Sequence, residues 1–350
     1  MRKFGVFSGF LGAGKTTLLT ALTQYYSEHH GKAAMISNDL GTGVTLADHR
    51  LARLCGARAE EITGECICYC HDVLTARLDA LFDEGCELVL SDIPGFGVGA
   101  LEHVCRGLNE KWPGRYTLAP FTVVIEPERA RMLREGREDD VSEIIRAQMQ
   151  EADLIVLSKI DLVSPGEMMD LMEWLVRTYR VLTLAVSAAT GAGLYELASV
   201  MQRRTCALKK PEIDWNGKLR GAMGRMSEYY LQYRAAVCCD DFDGTAYLAE
   251  IARRVSEGVA AAGADIPHMK LLGWTPEGDF GKLDLLGAAR PAEVTRPFAG
   301  RCTDLAVVLN ATALCPAETL DRIITAAAED ASRDFDLDLA VDRKDCFGMK

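Results

Sequence analysis

Gly9-Phe10-Leu11-Gly12-Ala13-Gly14-Lys15-Thr16-Thr17 follows a short apolar run, Phe4 to Phe7, and leads into Leu18, Leu19 and Leu22. The spacing G-x-x-x-x-G-K-T is that of a phosphate-binding loop between a strand and a helix. Glycines let successive backbone N–H groups turn inward toward a β-phosphate, where a larger side chain has no room. Lys15 brings a point charge to the β- and γ-phosphates, Thr16 offers a hydroxyl to Mg²⁺, and the helix starting near Gly14 adds the positive end of its dipole. Gly12, Ala13, Gly14, Lys15, Thr16 and Thr17 are the nucleotide-binding residues this stretch predicts, and the fold it predicts is a doubly wound, mostly parallel α/β sheet of the P-loop NTPase kind.

Working outward, further strand ends carry polar residues where such a sheet presents its ligand. Ala33 to Ser37 reads as a strand closing on Asn38-Asp39-Leu40-Gly41-Thr42-Gly43. That places Asp39 to sense Mg²⁺ or a γ-phosphate, although an aspartate there also suits a turn or a helix cap. Val73 to Phe82 reads as a helix, and Leu88 to Ser91 as a strand ending in D-x-x-G, Asp92 to Gly95. Asp92 is placed to hold the Mg²⁺ water shell, and Gly95 to give its N–H to the γ-phosphate and release it after hydrolysis. Mg²⁺ is thus expected on Thr16, Asp39 and Asp92, and hydrolysis on Lys15, Asp39 and Asp92. After the strand Phe121 to Glu126 and a helix over 141–151, Leu154 to Leu157 runs into Ser158-Lys159-Ile160-Asp161. A carboxylate there accepts both the N1 and N2 hydrogens of guanine, a donor pair that adenine lacks, so Asp161 predicts GTP. Lys159 lies along the base, and the strand ending at Ser187-Ala188 supplies a backbone N–H for the guanine O6.

The least ordinary stretch is Gly64-Glu65-Cys66-Ile67-Cys68-Tyr69-Cys70-His71. In an extended segment alternate residues share a face, so Cys66, Cys68 and Cys70 converge there on a soft or borderline ion such as Zn²⁺, with His71 or Glu65 as a fourth ligand; thiolates also favour Cu(I), and a flexible site admits Co²⁺. The same alternation suits a packed strand or a redox-active thiol set.

With 350 residues, about two domains are expected. The net charge of -12 argues against nucleic acid as a partner. No apolar run approaches the length of a membrane span and the chain enters its first strand at once, so a cytoplasmic protein without membrane partners is expected. The twelve cysteines then read as thiols or metal ligands rather than disulfides. Residues 1–205 form the predicted P-loop GTPase domain, and 206–226, mixing Lys, Arg, Pro and Gly, reads as a linker. Residues 227–350 follow a β-α-β-β-(β)-α-β pattern, a smaller α+β domain of the ferredoxin-like kind. In it, Cys238 and Cys239 read as one core and one surface thiol on a strand, and His268 as structural.

These residues together resemble the CobW-like GTPases, relatives of the UreG, HypB and MeaB proteins that handle metals or corrinoid cofactors. The likeness spans most of the chain. It rests on Gly9 to Leu19, on Asn38-Asp39 for the family's N-E segment, on Gly64 to Cys68 for its G-C-x-C-C motif, on Glu151 to Asp161, and on the C-terminal α+β pattern. Here Glu65 replaces the first motif cysteine, Cys68-Tyr69-Cys70 replaces the adjacent pair, and Ser158 stands where asparagine is usual, keeping one hydrogen bond to the loop. The resemblance implies a slow GTPase with GTP and Mg²⁺ as cofactors. It also implies a client metalloprotein or corrinoid enzyme, and a homodimer that forms with nucleotide. The reading is a metallochaperone whose nucleotide state governs a transition metal at the Cys-x-Cys-x-Cys site. Two alternatives keep the GTPase: a chaperone for a corrinoid-dependent enzyme with structural cysteines, and a thiol redox sensor.

Overall fold

All six residues of the first strand, β1 (Lys3–Ser8), are buried. A strand covered on both faces has no side for polar residues and reads as a continuous apolar run, the mark of a parallel sheet between helix layers. With β2 (Ala33–Asp39), β3 (Ala59–Thr63), β4 (Leu88–Asp92), β5 (Thr117–Leu118), β6 (Thr122–Ile125), β7 (Leu154–Leu157) and β8 (Leu182–Ala185), it forms one sheet. Its order is β3-β2-β4-β1-β6-β7-β8 with β5 paired to β1, and all pairings are parallel. The computed structural model describes residues 2–42, 47–215, 217–237, 240–288 and 290–348. Gly43, Cys238 and Cys239, on which sequence expectations fell, lie outside the described residues.

The intervening helices are α1 (Lys15–His29), α2 (Ala47–Leu54), α3 (His71–Asp83), α4 (Gly107–Lys111), α5 (Pro127–Arg134), α6 (Asp140–Glu151), α7 (Pro165–Tyr179) and α8 (Leu194–Arg203). A π-type turn over Leu101–Arg106 runs into α4. Leu18, Leu19 and Leu22 of α1 pack in one core with Phe7, Met35, Leu90 and Val124 from four strands. That packing holds the start of α1 over the end of β1, where the phosphate loop lies. Asp139 caps α6 by accepting the Ser142 N–H at 2.8 Å.

The chain divides into two compact units, Met1–Leu40 with Ala52–Ala222, and Gly41–Leu51 with Met223–Lys350. Two expectations are corrected here. The stretch read as a linker over 206–226 carries a helix, α9 (Gly217–Gly224), with Leu219 and Ala222 buried. Ahead of it the backbone is tied down: the Cys206 N–H donates to the Leu118 carbonyl at 2.9 Å, and the Lys209 ammonium to that of Ala152 at 2.5 Å. Polar composition hid those bonds, because they are made by backbone and by one long side chain. Secondly, Gly41–Leu51 belongs with the C-terminal unit. Thr42 donates from its backbone N–H and its hydroxyl to Asp345 at 2.9 and 2.6 Å, the Ala47 N–H donates to the Asn310 side chain at 3.2 Å, and Arg50 lies 4.5 Å over the Trp274 ring.

In the C-terminal unit, β9 (Ser227–Ala236), α10 (Gly244–Ala261), β10 (His268–Trp274), β11 (Phe280–Leu285), β12 (Glu293–Arg296), β13 (Asp304–Ala313), α11 (Ala317–Asp334) and β14 (Asp338–Gly348) follow in order. The antiparallel sheet runs β12-β11-β10-β13-β9-β14. Its β10-β13-β9-β14 core has the ferredoxin-like order, and the β11–β12 hairpin extends it. Tyr229, Leu231, Tyr233, Val307 and Leu309 alternate onto the face that α10 and α11 cover. His268 is buried against Asp284 at 3.3 Å, and burial lowers its pKa to about 4.

Candidate functional site

Gly9 leaves β1 at φ 134°, and a Cβ there would stand 2.2 Å from the Val124 carbonyl oxygen, so the backbone turns where only glycine passes. Gly12 and Gly14 follow at φ 82° and 87°, and α1 starts at Lys15. The chain thus lays a loop of N–H groups on a helix N-terminus, the arrangement that holds phosphate. Lys15 is 8% exposed and its ammonium donates to the Gly9 carbonyl at 2.6 Å, across the loop it is expected to serve. Thr16 is buried behind it and Thr17 is exposed.

Around this loop the strand ends fall in register. Phe7 of β1 pairs with Asp92 of β4, and β2, ending in Asp39, lies on the other side of β4. Asp92 is buried, and its carboxylate accepts the Asn38 N–H at 3.1 Å. Gly95 lies on the phosphate loop, since a Cβ there would stand 2.9 Å from the Leu11 nitrogen and closer still to its side chain. Thr16, Asp39 and Asp92 provide oxygen donors of the kind Mg²⁺ takes.

On the far side of β1, the Ser158 hydroxyl donates to the Ala13 carbonyl at 2.7 Å, tying the end of β7 to the phosphate loop with the one hydrogen bond expected of a serine there. Lys159, at φ 53°, passes the loop with its Cε 3.6 Å from where a Gly14 Cβ would be. Asp161 is exposed and accepts the hydroxyl of buried Ser187, so the two expected guanine-reading segments meet. Ala188 packs on the core beside them.

The thiol segment is where the expectation fails. It is not extended: β3 ends at Thr63, Gly64 takes φ 85°, and the Tyr69 N–H donates to the Cys66 carbonyl at 2.9 Å in a tight turn before α3. Strand alternation therefore does not bring Cys66, Cys68 and Cys70 onto one face. Among the described residues no group of three or more His, Cys, Asp or Glu side chains is arranged to hold a metal ion. The Cys70 thiol turns to the Cys66 carbonyl at 3.4 Å, and His71 makes a 2.7 Å hydrogen bond with the His103 carbonyl.

What the turn does assemble is a pair. The Cys68 N–H donates to the Cys66 sulfur at 3.4 Å, and the two thiols lie close enough for their ionisations to interact. Their interaction lowers the Cys66 pKa against burial and raises that of Cys68, with burial adding to the rise, so the two titrate as a coupled pair. The charges of Asp39 and Glu65 also reach Cys66 and oppose its ionisation. Burial raises Cys70 to about 11.

Sequence reasoning quoted Asn38 but missed its role. Its side chain, 4% exposed, donates to the carbonyls of Ile62 and Glu65 at 3.1 and 2.9 Å and accepts the Ile67 N–H at 3.0 Å. Asn38 thus grips the turn on both sides of Cys66, while its own N–H is held by Asp92. A buried amide with both ends satisfied specifies one geometry. The available signal was an amide directly ahead of the strand-end carboxylate.

Against known proteins, the nucleotide-binding domain described as CobW/HypB/UreG matches residues 4–184. A search of curated proteins returned no match. Among solved structures, HypB from Helicobacter pylori in complex with nickel is 20% identical over 57% of this chain and 85% of its own, with a TM-score of 0.40. HypB from Archaeoglobus fulgidus is 20% identical over 57% and 88%, with a TM-score of 0.37. Zn(II)-bound YjiA GTPase from E. coli is 17% identical over 93% and 98%, also at 0.37. Likeness at this level carries no functional weight.

Proposed function

Since the chain belongs to the CobW/HypB/UreG family, we propose that it is a cytoplasmic GTP-hydrolysing metallochaperone in which nucleotide state governs a transition metal, zinc or cobalt, at the Cys66-x-Cys68-x-Cys70 turn. Lys15, with Thr16, Asp39 and Asp92, would hold the Mg²⁺-bound phosphates, Gly95 would read the γ-phosphate, and Ser158, Lys159, Asp161, Ser187 and Ala188 would read guanine. Bound Mg²⁺ neutralises charge on the transferred phosphoryl group. A client metalloprotein and a homodimer formed with nucleotide belong to the same reading.

One observation carries the coupling: the Asn38 amide joins the thiol turn to the strand end that Asp92 holds. Any shift of Asp92 toward a bound nucleotide takes the acceptor from the Asn38 N–H. The displaced Asn38 pulls on Glu65 and Ile67, the neighbours of Cys66. A tenfold change in metal affinity needs about 1.4 kcal/mol, within what one rearranged hydrogen bond or thiolate contact supplies. Cys66 and Cys68 are the first ligands in this reading, and the turn has to bring in Cys70, or the carboxylate of Glu65, to complete a site.

The test is removal of the ligands. Cys66→Ser with Cys68→Ser is expected to lower zinc or cobalt affinity by at least 100-fold while GTP hydrolysis is kept. Metal retained at full affinity by this variant would contradict the site. The closeness of Cys66 and Cys68 in the turn also favours a second reading, thiol redox sensing; reversible disulfide formation between them, with no stoichiometric metal, would select it. A metal-free protein that binds a corrinoid enzyme only with GTP would select the protein-client chaperone.

A further inference from the structure

α6 leads into the guanine strand, yet two of its side chains point at the segment after Asp92. Gln148, fully buried, donates through Nε2 to the carbonyls of Gly95 and Gly97 at 2.9 and 3.0 Å. Glu151, also fully buried, accepts the N–H groups of Gly99 and Leu101, both at 2.9 Å, and so caps the turn over Leu101–Arg106. Four backbone groups between Gly95 and Leu101 are thereby fixed to one helix.

Such a clamp is a costly way to pack a core. Burial raises the Glu151 pKa to about 7 even though the two N–H groups and the Lys209 charge oppose it. The Gln148 amide is oriented by its two carbonyl acceptors, and its Oε1 has no hydrogen-bond partner among the described residues. Apolar side chains would fill the same space without these penalties. The segment so held begins at Gly95, whose backbone is pressed against Leu11 of the phosphate loop.

We propose that Gln148 and Glu151 are positioning residues that hold Gly95 against the phosphate loop, aiming its N–H at the γ-phosphate and setting the preference for GTP over GDP. The proposal rests on the reading of Gly95 as the γ-phosphate contact. GDP lacks that group, so the clamp contributes to GTP binding alone. A merely structural role would weaken both nucleotides together.

The experiment measures the affinities of a non-hydrolysable GTP analogue and of GDP, each with Mg²⁺, for the wild type, Gln148→Leu, Glu151→Gln and Gly95→Ala. Gln148→Leu is expected to weaken the GTP analogue about tenfold and leave GDP unchanged. Glu151→Gln keeps the shape and one acceptor oxygen, carries the test if Gln148→Leu does not fold, and is expected to give a several-fold change of the same kind. Equal weakening of both nucleotides, or none, in these two variants while Gly95→Ala lowers the GTP preference overturns the clamp. An unchanged preference in Gly95→Ala overturns the reading of Gly95 and the proposal with it.

Discussion

Lys15→Ala is expected to lower kcat/KM for GTP by about 10³-fold, measured as phosphate release. The ammonium is buried in the mouth of the loop, 2.6 Å from the Gly9 carbonyl, so it is already aimed and little solvated. In such a site one preorganised donor to developing charge is typically worth about 10²–10³ in rate, and Lys15 also adds ground-state affinity for the β- and γ-phosphates. Lys15→Arg is no conservative control, because a planar fork does not fit the space of a compact charge. Hydrolysis within tenfold of the wild type in a folded Lys15→Ala variant would mean that the loop does not bind the reacting phosphates.

The second large effect is a change of base. Asp161→Asn is expected to reduce kcat/KM for GTP by on the order of 10³, and to raise it for xanthosine triphosphate. The Ser187 hydroxyl donates to Asp161, and in the variant it would hold the amide oxygen on its own side. The NH₂ group then faces the base, where it opposes the guanine amino group and donates to the xanthine C2 carbonyl. Unchanged selectivity would remove Asp161 from guanine recognition and favour some other contact to the base.

How much of this was legible in the sequence depended on whether a feature is decided locally. The phosphate loop was, since positive φ at Gly9, Gly12 and Gly14 is a need of the loop itself. So were β1, β4 and β7, whose burial on both faces writes itself as apolar runs. The ferredoxin-like order of elements was also visible, down to the final strand β14. The thiol turn was not, because Cys-x-Cys-x-Cys carries the period of a strand, while its bend is set by Asn38, which reaches it from a neighbouring strand end. β3 escaped because Ala59-Glu60-Glu61-Ile62-Thr63 is an edge strand with little apolar pattern. Gln148 and Glu151 did leave a trace: they continue the helical spacing of Val141, Ile144 and Ile145, so two polar residues stand on the buried stripe of α6. Nothing local says what they grip, since the loop from Gly95 to Leu101 comes from elsewhere in the chain.

The most direct test of the account is the zinc or cobalt affinity of the reduced wild-type protein with Mg²⁺ and a non-hydrolysable GTP analogue, with Mg²⁺-GDP, and without nucleotide. Coupling through Asn38 and Asp92 predicts a single site whose affinity differs by about tenfold or more between the GTP and GDP states. Equal affinity in all three states would contradict the nucleotide-governed metallochaperone, leaving a GTPase whose thiol turn serves another purpose.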